Sequence, residues 1–150
     1  MNAPLPAATG SSSALASVTK RDAALNGFTE VAGRVLLALL FLLAGIGKLS
    51  ASSATAAYMS SGGVPRALLP AVIVIELGGA LAIILGWKTR VVAALLAGFS
   101  VLTALIFHNN FADQIQMIMF LKNISIAGGF LLLVAHGTGP LSLDRRLSRL

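Results

Sequence analysis

Glu76 stands between Ile75 and Leu77, inside an apolar run long enough to cross a bilayer. A carboxylate held in hydrocarbon is costly unless it is paired or protonated, so this position asks for a partner. Lys122 lies a similar number of residues into another apolar run of the same direction. At 1.5 Å rise per residue both fall roughly 10 Å below one membrane surface, so a Glu76–Lys122 ion pair is expected. His108 closes a third run and Lys48 closes the first, both at that same surface. Gln116, Phe120 and Asn123 share one side of the last run, with Lys122 beside it. Arg34, Ala38, Phe41, Gly45 and Lys48 share one side of the first at heptad-like spacing. Glu76, Lys122, His108, Asn123, Gln116, Lys48 and Arg34 are therefore the candidate ligand or proton sites. Two roles remain open for them. One is a buried ion pair that fixes helix register, with the amides and the imidazole completing its hydrogen bonds. The other is a polar pocket that binds a lipid headgroup, a quinone ring or protons. No catalytic residue is assigned.

Other chemistries are excluded by what the chain lacks or by where it places its residues. The two histidines, His108 and His136, end runs on opposite sides of the membrane, roughly 30 Å apart, so one chain cannot clamp a haem between them. No close His/Asp/Glu set suits a metal, and no phosphate-binding glycine loop or serine elbow is present. Cysteine is absent, which removes thiolate nucleophiles and cysteine-ligated clusters. The net charge of +6 does not point to nucleic acid, because the bases sit at the ends of apolar runs rather than in a stripe with interleaved aromatics.

The elements that must position these groups follow from composition. Apolar residues make up 57% of the chain and charged residues 11%, too apolar a mixture for a soluble domain of 150 residues to hide in its core. The spacing predicts an all-α, integral membrane four-helix bundle with spans at about 31–49, 66–86, 90–107 and 115–136. Residues 1–28 read as a loosely held N-terminal tail, 29–145 as the membrane domain and 146–150 as a basic C-terminal tail. A short interfacial helix, with Tyr58 and Met59 as its buried side, fits the segment before Gly62 and Gly63 as well as an irregular loop does. Asp144 is expected to cap a tail helix, or to pair with Arg90, Arg145 or Arg146, and Asp113 to belong to an outer turn or a helix start. Small residues (Ala38 and Gly45, Gly78 and Gly79, Ala94 and Gly98, Gly128 and Gly129) mark helix contacts. Eight bases lie on one side of this topology and Lys48, Arg66 and Lys122 on the other, which puts both termini in the cytoplasm.

The chain resembles the DoxX family of small bacterial membrane proteins. The resemblance is carried by Gly33-Arg34, by Phe41 through Gly45-Ile46-Gly47-Lys48, by Tyr58 with Gly62-Gly63-Val64-Pro65, and by Glu76-Leu77-Gly78-Gly79 with Leu85-Gly86 and Arg90. Phe107-His108, Phe120-Leu121-Lys122-Asn123, Gly128-Gly129 and the stretch 137–144 continue it. It implies a four-helix protein of the bacterial inner membrane. Namesakes of the family are associated with a thiosulfate:quinone oxidoreductase and relatives with complexes in oxidative-stress defence. The expectation is thus an accessory subunit or anchor of a respiratory, quinone-linked complex, without an intrinsic cofactor but with quinone contact. A small oligomeric transporter or proton-coupled carrier and a purely structural assembly protein are the alternatives. Expected partners are the lipid bilayer and either complex subunits or further copies of the chain.

Overall fold

The computed structural model describes the backbone of residues 9–149 and the side chains of residues 24–149. Its helices are α1 (Thr9–Ser50), α2 (Ser52–Ser61), α3 (Leu69–Leu85), α4 (Thr89–Phe107), α5 (Gln114–His136) and α6 (Leu143–Leu147), with a 3₁₀ turn at Arg66–Leu68 leading into α3. No strand occurs among the described residues. Four stretches are long and apolar enough to span a membrane: Ala24–Ser50, Arg66–Leu85, Thr89–Phe107 and Gln114–His136. The chain is an all-α integral membrane four-helix bundle.

The first helix starts earlier than the composition suggests. α1 is continuous from Thr9, so the part of the expected tail from 9 to 28 is helical, and residues 1–8 lie outside the described residues. Ala14, Ala16, Lys20, Arg21, Ala23 and Ala24 are good helix formers, and no proline interrupts them. The short helix between the first two spans is present as α2. Its buried residue is Met59, while Tyr58 is half exposed and stacks on Phe107 at 5.1 Å between ring centroids.

Each span buries one stripe and leaves the rest to lipid. On α1 the buried positions include Arg34, Ala38, Phe41 and Gly45, the same heptad-like side read from the sequence. On α3 they include Leu69, Glu76, Ala80 and Ile83. The core forms around Phe41, which meets Phe130 edge-on at 5.5 Å, with Ala38, Ala80, Ile83, Ala93, Leu96, Ala97 and Ala127. Leu36, Leu43, Val74, Leu95 and Leu132 face outward. α1 packs chiefly on α3, and α4 chiefly on α5, with α3 and α4 joining the two pairs.

Small residues permit the closest approaches. A Cβ on Gly45 would lie 2.6 Å from Leu77, on Gly79 2.9 Å from Leu96, and on Gly129 2.9 Å from Leu37. Gly78, Gly98 and Gly128, expected at the same kind of contact, have open space instead. The α3–α4 turn is a tight helix stop. Gly86 takes φ +70°, and the Trp87 amide donates to the Ala82 carbonyl at 2.9 Å.

Candidate functional site

The Glu76 carboxylate is formed into a site by two helices. α3 carries it on the buried stripe that includes Ala80 and Ile83, so its backbone position is set by core packing. Glu76 is only 4% exposed. α1 brings Lys48 to it from the end of the Arg34–Ala38–Phe41–Gly45 stripe, and Lys48 Nζ donates to Glu76 Oε1 at 2.8 Å. Gly45, lying against Leu77 and Glu76 Cβ, lets α1 come close enough for that contact. The second carboxylate oxygen, Oε2, is buried without a partner.

This pairing corrects the expected Glu76–Lys122 bridge. Lys122 is exposed, and its ammonium lies 3.2 Å from Met119 Sδ on its own helix. Equal depth was not sufficient, because α5 packs on α4 whereas α3 packs on α1. Lys122 still lines the same polar cavity as Glu76.

Two cavities meet at the ion pair. The first holds about 290 Å³, lies between α2, α3 and α4, and is walled almost wholly by apolar side chains such as Ile75, Phe99, Leu102 and Phe107. The second holds about 190 Å³ and is the more polar of the two, reaching His108, Lys122 and Asn123. Lys48, Glu76, Phe99 and Thr103 line both. An ionised carboxylate with one engaged and one bare oxygen can accept a hydrogen bond from a hydroxyl entering the apolar side. Lys48, with protons beyond the one given to Glu76, can donate to a carbonyl. The pair therefore suits the polar head of a small amphiphile whose body fills the apolar space.

The remaining candidates divide. His108 Nδ1 lies 2.8 Å from Gln116 Oε1, which ties the end of α4 to the start of α5 beside the polar cavity. Asn123 donates to Met119 O at 2.9 Å and lines the cavity. Gln116 touches His108 but is not among the residues lining the cavity. Arg34 does not join them. The rise along α1 from Arg34 to Lys48 is about 21 Å, which puts Arg34 at the opposite end of the bundle. There it is 2% exposed, and its Nη2 donates to the Leu141 carbonyl at 2.6 Å. Its guanidinium occupies the space a Cβ on Gly86 would need, and Glu30 sits in the same way against Gly139.

Asp144 also differs from expectation. Ser142 caps α6, while the Asp144 carboxylate accepts from the backbone amides of Lys88 at 2.6 Å and Thr89 at 2.9 Å, so it caps α4 across the fold. Asp113 caps α5, accepting from the Ile115 amide at 2.8 Å. Thr103, Tyr58 and Met59 are lining residues that site reasoning passed over. The one signal for Thr103 was a hydroxyl, the second after Ser100, in an otherwise apolar run. Among the described residues no group of three His, Cys, Asp or Glu side chains could hold a metal ion.

Comparison with known proteins agrees with this architecture. Residues 30–109 match the DoxX family. The inner membrane protein YqjF of Escherichia coli (strain K12) is 48% identical over 116 residues, covering 77% of this chain and 89% of that protein. The inner membrane protein YphA of the same organism is 41% identical over 120 residues, covering 75% of this chain and 86% of that protein. No solved structure matches the chain.

Proposed function

Because the chain belongs to the DoxX family, we propose that it serves in the bacterial inner membrane as an accessory subunit or anchor of a quinone-linked redox complex and holds a quinone or quinol head against Lys48 and Glu76. The observation that carries this reading is the bare, buried Glu76 oxygen at the meeting of an apolar and a polar cavity. The apolar cavity, at about 290 Å³, is near the lower end of the range for small-molecule pockets, ~300–1,000 Å³, and suits a substituted ring with the start of its tail. Glu76 Oε2 would accept from a quinol hydroxyl, Lys48 would donate to a quinone carbonyl, and the polar cavity toward His108 and Lys122 gives a released proton a way out. The redox centre itself would belong to a partner subunit. The distribution of basic residues supports a topology with both termini in the cytoplasm, which puts the site in the outer half of the bilayer.

The test is native extraction in mild detergent followed by solvent extraction and chromatography of quinones. Wild type should carry quinone in near-stoichiometric amount. Ala71→Phe, which fills the apolar cavity from its wall, should lose it while retaining the wild-type melting profile. A wild-type protein isolated alone, and free of quinone even after incubation with it, would overturn the proposal.

A further inference from the structure

At the end of the bundle opposite Glu76, we propose a second site, on the α4–α5 seam, that binds an anionic membrane phospholipid, its phosphodiester head held by Lys88, Arg90 and Arg145 and an acyl chain laid in an apolar groove beneath them. It goes beyond the quinone reading and shares no residue with it.

The head end is a groove of about 750 Å³ lined by Lys88, Arg90, His136 and Arg145. Asp144 is the acid among its lining residues, and both its oxygens are engaged by the Lys88 and Thr89 amides. The only ion pair among the described residues joins Lys48 to Glu76 at the far end, so the groove's cations keep their charge for a ligand. Two of them have defined neighbours. The Arg90 guanidinium lies over Gly137, with Nε 3.2 Å and Nη2 3.5 Å from where a Cβ would stand. Gly137 has φ +75°, so a side chain there is disfavoured and would crowd the guanidinium. Lys88 adopts a left-handed backbone, φ 44°, that its amide contact to Asp144 supports, and its ammonium sits 5.4 Å from the Trp87 ring centroid. Because Asp144 already satisfies those amides at the start of α4, the anion must be held by side chains rather than by the helix terminus.

Depth and the alignment of two grooves on one seam point to a lipid. The apolar spans of α3, α4 and α5 end at Leu85, Thr89 and His136, around this groove, and the half-exposed Trp87 marks the interface. That is the level of the phosphates. Val91 lines the basic groove and is exposed, and one helical turn further along α4 a second groove of about 520 Å³ begins. It runs along the same seam, with Ala94, Ala97, Gly98 and Ala127 as a small-residue floor and Leu105 and Leu131 among its walls. A basic pocket one helical turn from an apolar groove on the same seam fits a head and a chain joined in one molecule. Free phosphate would use only the first part.

Native mass spectrometry of the full chain tests the proposal with phosphatidylglycerol, phosphatidylcholine of the same acyl chains, and glycerol phosphate as probes. Wild type should retain phosphatidylglycerol well above phosphatidylcholine and retain no glycerol phosphate. Arg90→Gln with Arg145→Gln should reduce the preference for the anionic lipid by about thirtyfold, given the usual attraction of each base for an anionic surface. Gly98→Leu fills the tail groove at a position with open space, so it should keep the fold and weaken retention of phosphatidylglycerol on its own. Arg66→Gln, at the other end, should leave the retention of both lipids unchanged. Equal retention of both lipids by wild type, unchanged retention in both groove variants, or binding of glycerol phosphate as strong as that of the lipid would each refute it.

Discussion

Removing the Lys48 ammonium should destabilise the bundle far more than removing that of Lys122, although the two bases look alike in the sequence. The magnitude follows from the geometry. At 2.8 Å and an effective dielectric of ~20, the Lys48–Glu76 attraction is about 6 kcal/mol before desolvation. Holding either ion out of water opposes this by several kcal/mol. Lys48 is a quarter exposed, with 24% of its side chain accessible, which softens both terms, whereas Glu76 is nearly sealed. Breaking such a pair from one side typically costs about 3–5 kcal/mol, because the survivor is left buried and uncompensated. With the exposure of Lys48 taken into account, Lys48→Met should lower stability by about 3 kcal/mol. Lys48→Met combined with Glu76→Met, which removes both charges, should recover most of that loss. Lys122→Met should stay within about 0.5 kcal/mol of wild type, as exposed substitutions do. Unfolding in mixed micelles of rising sodium dodecyl sulfate, followed by fluorescence of the single tryptophan, Trp87, gives the comparison. If Lys122→Met proves as damaging as Lys48→Met, or the double variant is no better than the single one, the assigned pairing is wrong.

Asp144→Ala should cost about 1 kcal/mol as a lost cap. Hydrogen exchange should show it selectively, with the Lys88 and Thr89 amides exchanging faster and the Asp113-capped Ile115 amide unchanged. Gly45→Leu, driven against Leu77, should lose about 1–3 kcal/mol in the same unfolding titration. Gly78→Ala, with open space around it, should be neutral or stabilising by up to ~1 kcal/mol. Tyr58→Ala removes the stack on Phe107 and should loosen α2 by about 1 kcal/mol, seen as faster proteolysis at 61–64.

The presence of four spans and the buried side of α1 could be read from the sequence because each depends on local periodicity, whereas α2 has none and an irregular loop fitted its segment equally well. Arg34, Ala38, Phe41 and Gly45 recur at intervals that any helix turns to one side, and the structure buries all four. Glu76 could be singled out because its cost in lipid is independent of its neighbours. Its partner could not be. Residue counting gives a depth, and Lys48 and Lys122 both satisfied it within the reach of a lysine. The choice depends on which helix adjoins α3, a property of packing that no single run encodes. Asp144 was misplaced for a related reason. A cap for α6 was sought at the acid, while Ser142, two residues earlier, fills that role and frees the carboxylate for α4. The unequal fates of Gly79 and Gly78 turn on a rotation of one residue relative to α4.

The Asp144 contact also bears on how the protein is made. The two amides it satisfies belong to the start of α4, 55 and 56 residues earlier in the chain. When the hairpin of α3 and α4 leaves the translocon, those groups face the headgroups bare, and they stay so until the ribosome has delivered the segment that follows α5. The cap of the third span therefore arrives only after the fourth span has been made.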